Sequence, residues 1–151
     1  VSAFIRHCID RYGIEEVRSW DFEVWNEPNL TKPFFRGGSE HKYFDLYRVT
    51  VKAVKNVDSQ LRVGGPATSN YAYHDGNWSP IWVTDFLDYA YNLHLPVDFV
   101  SVHPYPASYP GTDITGHSIY RTKNATIEDL NKIRQVVKNS HYQNAEIDLT
   151  E

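Results

Sequence analysis

Cysteine is almost missing from this 151-residue chain: there is one, Cys8, so no internal disulfide can form. Cys8 falls on an apolar helical face and reads as a core residue. Methionine is missing altogether, and the chain opens on Val1 in mid-pattern. Both features predict an internal piece of a longer protein, with the rest of its fold supplied by flanking sequence. No apolar run approaches the roughly 18 residues of a membrane helix, so no membrane partner is expected. Positive charge is not in excess. The net charge is −4 with no basic stripe, which argues against nucleic acid as a partner. Gly37-Gly38 and Gly64-Gly65 lack the spacing and the lysine of a phosphate loop. His41, His74, His94, His117 and His141 fall on helices or loops without ligand spacing, so neither a His/Cys metal site nor a cofactor is expected. Repeats and low-complexity segments are also absent.

What is present is enough for one ordinary domain with one core. Hydrophobic residues make up 41% and charged residues 23%, as in globular proteins generally. Aromatics reach 15%, with eleven Tyr and four Trp. Such rings fill cores, and they also suit clefts in which sugar C–H faces stack.

Periodicity predicts a helix over residues 1–12, with Phe4, Ile5, Cys8, Ile9 and Tyr12 on one face and Gly13 as its stop. A short acidic connection leads to a strand at 20–25. A second helix is predicted from a Ser39 N-cap through about residue 56, burying Tyr43, Tyr47, Val51 and Val54. Leu61 to Gly64 reads as a strand closed by Gly65-Pro66, followed by a long loop from Ala67 to Ser79. Ser79-Pro80 starts a helix that buries Trp82, Phe86, Tyr89, Ala90 and Leu93. Asp98 to His103 is a strand ended by Pro104, and a loop covers 107–124. Thr126 with Asp129 resembles a capping box for a helix carrying Ile127, Leu130, Ile133 and Val137. Residues 145–151 form the last strand. Strands alternating with helices of this length imply a parallel α/β sheet, and both a doubly wound sheet and a (β/α)₈ TIM barrel fit.

The chemistry gathers at the strand ends. Phe22-Glu23-Val24-Trp25-Asn26-Glu27-Pro28 begins as a strand and stops at a proline that cannot continue a buried ladder. Glu27 therefore sits where strand gives way to loop, which in a parallel barrel is the catalytic face. A lone Glu there is usually a solvated carboxylate, so a partner has to decide its role. Trp25 nearby could provide the apolar surroundings that raise a carboxyl pKa. The other strand ends offer Gly64-Gly65-Pro66, then His103 and Tyr105, then Glu151. Two acids on separate strands and one face meet the requirement of glycoside hydrolysis: one carboxyl protonates the leaving oxygen and the other attacks the anomeric carbon or activates water. Glu146 and Asp148 lie earlier in the last strand and are not chosen. His103 and Tyr105 are suited to orient or hydrogen-bond a carboxylate.

The run Phe22-Glu23-Val24-Trp25-Asn26-Glu27-Pro28-Asn29-Leu30 resembles the acid/base motif of glycoside hydrolase family 39, which holds β-xylosidases and α-L-iduronidase. The similarity continues through Tyr43-Phe44-Asp45-Leu46-Tyr47, Leu61-Arg62-Val63-Gly64-Gly65-Pro66-Ala67 and Asp98-Phe99-Val100-Ser101-Val102-His103-Pro104-Tyr105. The resemblance implies a retaining (β/α)₈ barrel of which this chain is a partial barrel, about strands 4 to 7. Glu27 would be the acid/base and Glu151 the nucleophile. Asn26 would hydrogen-bond the sugar 2-hydroxyl, and His103 and Tyr105 would line the sugar subsite. The implied activity is that of an exo-acting, β-xylosidase-like enzyme on a xyloside-type carbohydrate. Alternatives are another enzyme of the same clan, such as an α-L-iduronidase or an endo-glycanase, or a non-catalytic carbohydrate-binding barrel. The short match at Leu149-Thr150-Glu151 ends with the chain.

Overall fold

Gly13, at φ 86°, divides the N-terminal segment into two helices, α1 (Ser2–Tyr12) and α2 (Ile14–Arg18). The second replaces the predicted acidic connection. Glu15 and Glu16 lie in its first turn and Arg18 in its last, matching the helix dipole, and Val17 is buried. There follow β1 (Asp21–Glu23), α3 (Glu40–Lys55), β2 (Arg62–Ser69), β3 (Tyr73–His74), β4 (Asn77–Trp78), α4 (Ile81–Asn92), β5 (Phe99–His103), β6 (Ala107–Thr112), β7 (Ser118–Tyr120), α5 (Ala125–Asn139) and β8 (Glu146–Leu149). This computed structural model describes residues 1–30, 32–69, 73–74, 77–78, 81–105, 107–112, 115, 118–120 and 123–151. The predicted helix start at Ser79-Pro80 and the position of His117 lie outside the described residues.

Four strands form one parallel sheet in the order β1-β2-β5-β8. Strand order follows chain order, so right-handed crossovers set α3, α4 and α5 on the same side of the sheet. A doubly wound sheet, by contrast, reverses its order at a switch point. The helical side carries the core. Tyr43, Tyr47, Val51 and Val54 of α3 are fully buried, as are Phe86 and Ala90 of α4, while Val63, Val100 and Val102 face them from the strands. Tyr47 meets Phe86 edge to face at 4.7 Å between ring centroids. Helix ends of the predicted faces are less covered: Phe4, Tyr12, Leu93 and Ile127 are exposed.

Two predicted loops contain strands. Strand β2 does not stop at Gly65-Pro66 but runs to Ser69, because its register against β5 shifts between Pro66 and Thr68. Ala67 takes up the extra residue at φ 53° and gives its N–H to Ser101 Oγ, 3.0 Å away, in place of a ladder carbonyl. Beyond it, β3 pairs with β4, and β6 with β7, as two short antiparallel ribbons. Helix α5 also starts differently. It begins at Ala125, and Thr126 is not the cap; its hydroxyl donates to Pro104 O at 2.7 Å. At α3 the prediction holds: Ser39 Oγ accepts the Lys42 N–H.

The opposite face of the sheet is concave and largely polar, with Phe99 of β5 buried on it in register with Glu23 and Glu146. Alternate side chains point there: Asp21 and Glu23 from β1, Arg62 from β2, Glu146 and Asp148 from β8. Arg62 Nε meets Asp21 at 2.6 Å while its Nη2 reaches Glu146, two strands away in the other direction. Thr150, just past β8, donates to Glu23 Oε1 at 2.8 Å. In a flat sheet the first and fourth strands would stand roughly 14 Å apart. A direct hydrogen bond between them requires strong curvature.

Candidate active site

Glu27 is presented by a strained, well-tied turn. Trp25 and Glu27 adopt φ of 71° and 47°, values rare in residues other than glycine and concentrated at functional positions. The turn is tied to β2 by Glu27 N–H to Ala67 O at 2.9 Å, and it closes on itself through Leu30 N–H to Glu27 O. Asn29 adds a two-way clamp: its Oδ1 accepts Ser69 N–H at 2.9 Å and its Nδ2 donates to Ser69 O at 3.3 Å. From below, the buried Tyr43 hydroxyl donates to Val24 O.

The Glu27 side chain is buried, and its partner is His103. His103 ends β5 with none of its surface exposed. Its Nδ1 lies 3.0 Å from Glu27 Oε1 and 3.5 Å from Glu151 Oε2, and its Nε2 lies 3.1 Å from Thr150 Oγ1. Tyr105 donates its hydroxyl to Glu151 Oε2 at 2.7 Å. That bond to a carboxylate is the main reason the Tyr105 phenol is held above its ordinary pKa. Glu151 itself is exposed. Trp25 does not take the role expected of it. Its ring meets Phe35 edge to face, its N–H donates to Phe34 O, and half its surface is exposed.

Of the residues singled out in the sequence, Glu27, His103, Tyr105 and Glu151 thus form one contiguous cluster. Asn26 is half-buried, and its side chain makes no hydrogen bond to another of the described residues. Glu146 and Asp148 lie further down the concave face, where Glu146 bonds Arg62. Sequence reasoning passed over Glu23, Thr150 and Asn29. The available signals were weak: Glu23 lies four residues before Glu27, and Thr150 immediately precedes Glu151.

One oxygen or nitrogen each from Glu27, His103 and Glu151 lies within 4.8 Å of the other two. These three are also the set that a divalent cation would use among the described residues. Both His103 nitrogens already have protein partners, however, so an ion would compete with Glu27 or Thr150 for them. Chemically the cluster offers one buried carboxyl and one exposed carboxyl across a narrow gap, with an imidazole touching both.

The model of the family described as "Glycosyl hydrolases family 39" matches residues 1–151, the whole chain. The chain belongs to glycosyl hydrolase family 39. Within this family setting it is 49% identical over 110 residues to the β-xylosidase of Geobacillus stearothermophilus, covering 73% of this chain and 20% of that protein. To the β-xylosidase of Caldicellulosiruptor saccharolyticus it is 47% identical over 106 residues, covering 70% and 20%. Among solved structures, a monomeric β-xylosidase from Caulobacter crescentus CB15 superposes with a TM-score of 0.81 at 36% identity, covering 99% of this chain and 29% of that one. The family 39 chain described here thus matches about a fifth of the length of these curated relatives.

Proposed function

We propose that this chain carries the catalytic pair of a retaining, exo-acting glycoside hydrolase of the β-xylosidase type, and that it is one part of a larger (β/α)₈ barrel, about strands 4 to 7. The observation that carries the mechanism is the gap between the acids: a Glu27 oxygen and a Glu151 oxygen lie within 4.8 Å. Retaining pairs stand about 5–5.5 Å apart, whereas inverting pairs need roughly 6.5–9.5 Å to admit a water. The barrel reading is supported by the sequential strand order, the helices on one side and the curvature that brings Thr150 to Glu23.

In this reading Glu27 gives its proton to the glycosidic oxygen as Glu151 attacks the anomeric carbon. The C–O bond to the leaving group breaks, and a glycosyl ester forms on Glu151. Glu27, now a carboxylate, takes a proton from water as that water displaces the ester. Tyr105 holds Glu151 Oε2 by its hydroxyl, and His103 bridges the two carboxyls. Asn26 is placed to bond the sugar 2-hydroxyl. The xyloside as substrate follows from the β-xylosidases to which the chain is similar.

Glu27→Gln in the full-length enzyme tests the acid role. The kcat/KM of xylosides with poor leaving groups, which reports the step that protonates the leaving oxygen, is expected to fall about 10²–10⁴-fold. Aryl xylosides with good leaving groups, which need little protonation, should lose much less. An equal, small loss on both substrates would overturn the assignment.

A further inference from the structure

The double displacement gives no task to two polar residues that reach the site. Thr150 Oγ1 donates to Glu23 Oε1 at 2.8 Å and stands 3.1 Å from His103 Nε2. A hydroxyl has one hydrogen, and an ionised carboxylate has none to give. With its hydrogen on Glu23, Thr150 can offer His103 only a lone pair, so Nε2 must carry an N–H. A neutral imidazole has a single N–H. Nδ1 is then the bare nitrogen, 3.0 Å from Glu27 Oε1 and 3.5 Å from Glu151 Oε2.

That choice of tautomer matters for Glu27. A bare Nδ1 accepts, and the hydrogen bond at 3.0 Å is satisfied when Glu27 holds a proton. This is the state a general acid must be in when substrate arrives. The opposite tautomer would point an N–H at Glu27 and favour its carboxylate. From this we infer that Glu23 and Thr150 are positioning residues that fix the tautomer of His103 and thereby keep the catalytic proton on Glu27. The inference rests on the acid/base reading of Glu27. It also gives the curvature of the sheet a chemical consequence. Glu23 ends β1 and Thr150 follows β8, the two outer strands, so the tautomer is set by a bond that forms only when the sheet is curved.

The test uses the full-length enzyme, with xylosides of poor and good leaving groups and with ¹⁵N-histidine labelling. In the parent protein His103 should show its proton on Nε2. Thr150→Val should give a tautomer mixture and lower kcat/KM for the poor substrate about tenfold, part of the range open to an acid catalyst. The good substrate should lose less, and Thr150→Ser should restore both readouts. Glu23→Leu frees the Thr150 hydrogen for Nε2, so it should move the proton to Nδ1 and slow the poor substrate in the same way. A parent His103 protonated on Nδ1 would overturn the inference. So would equal losses on both substrates in Thr150→Val, provided Glu27→Gln discriminates between them. If Glu27→Gln shows no discrimination, the acid reading itself fails and this inference falls with it.

Discussion

A methyl group on Gly65 would stand 2.4 Å from the Tyr43 hydroxyl oxygen, while the next nearest atoms, Tyr43 Cζ and Tyr47 Cδ2, are at ordinary distances of 3.7 and 3.9 Å. A single atom therefore makes this position a glycine. That atom also donates to Val24 O beneath the Glu27 turn. Gly65→Ala should destabilise the protein by about 1–3 kcal/mol through overpacking. Tyr43→Phe should cost about 1–3 kcal/mol by leaving a buried carbonyl without its donor. Together the two should cost less than their sum by about 1 kcal/mol, since the phenylalanine removes the clashing oxygen. Urea denaturation midpoints of the four proteins in the cycle measure this, and strict additivity would mean that the clash lies elsewhere. Gly64 offers no such rescue. Its added carbon would lie 2.2 Å from the Phe99 carbonyl oxygen, which belongs to the paired strand.

Elements were legible in the sequence where one periodic face decides them. Tyr43, Tyr47, Val51 and Val54 mark the buried face of α3, and Ser39 caps it as its type and place imply. Strand ends were less legible. Gly65-Pro66 looks like a stop, yet the bulge at Ala67 carries β2 on to Ser69 through a bond to Ser101 that no local pattern encodes. The site divides in the same way. Glu27, His103, Tyr105 and Glu151 could be named because each sits at a strand end, and parallel strands end on one side. Glu23, Thr150 and Asn29 could not, because their partners come from other elements and depend on how far the sheet curls. Asn29 is the clearest case. Its amide bonds both backbone groups of Ser69 and so works as an added rung between the Glu27 turn and the end of β2. Asn29→Ala removes both bonds and should cost about 1–3 kcal/mol in stability. In the full-length enzyme it should also lower turnover more than it weakens substrate binding, because the turn that positions Glu27 loses its clamp. Steady-state kinetics and thermal melting of the same variant separate the two effects. Loss of stability with unchanged turnover would show that the remaining turn bonds hold Glu27 in place.

At the scale of the whole molecule, the concave face gathers acids from both outer strands around Arg62. Asp21, Glu23, Glu146 and Asp148 share it with Arg62, which bonds Asp21 and Glu146. Neither Glu23 nor Asp148 bonds Arg62; Glu23 accepts from Thr150, and the pKa of Asp148 is raised. Burial is the largest cause, followed by the charges of Asp21 and Glu146, with Arg62 opposing and Glu23 adding to the rise. The sign of the pH effect follows. A folded-state pKa above the unfolded one means that the folded form binds more protons between the two values, so stability falls as pH rises through that window. The penalty is complete above the raised pKa and absent below the ordinary Asp range. Asp148→Asn removes the charge and should therefore stabilise the protein at pH 7. The gain should shrink as pH is lowered through the carboxylate range and vanish once Asp148 is protonated in both states. Melting temperatures of the parent and variant across that range provide the check. A gain independent of pH would mean that Asn packs better for reasons unrelated to charge. A loss at pH 7 would mean that the Asp148 carboxylate is held favourably by the concave face rather than tolerated by it.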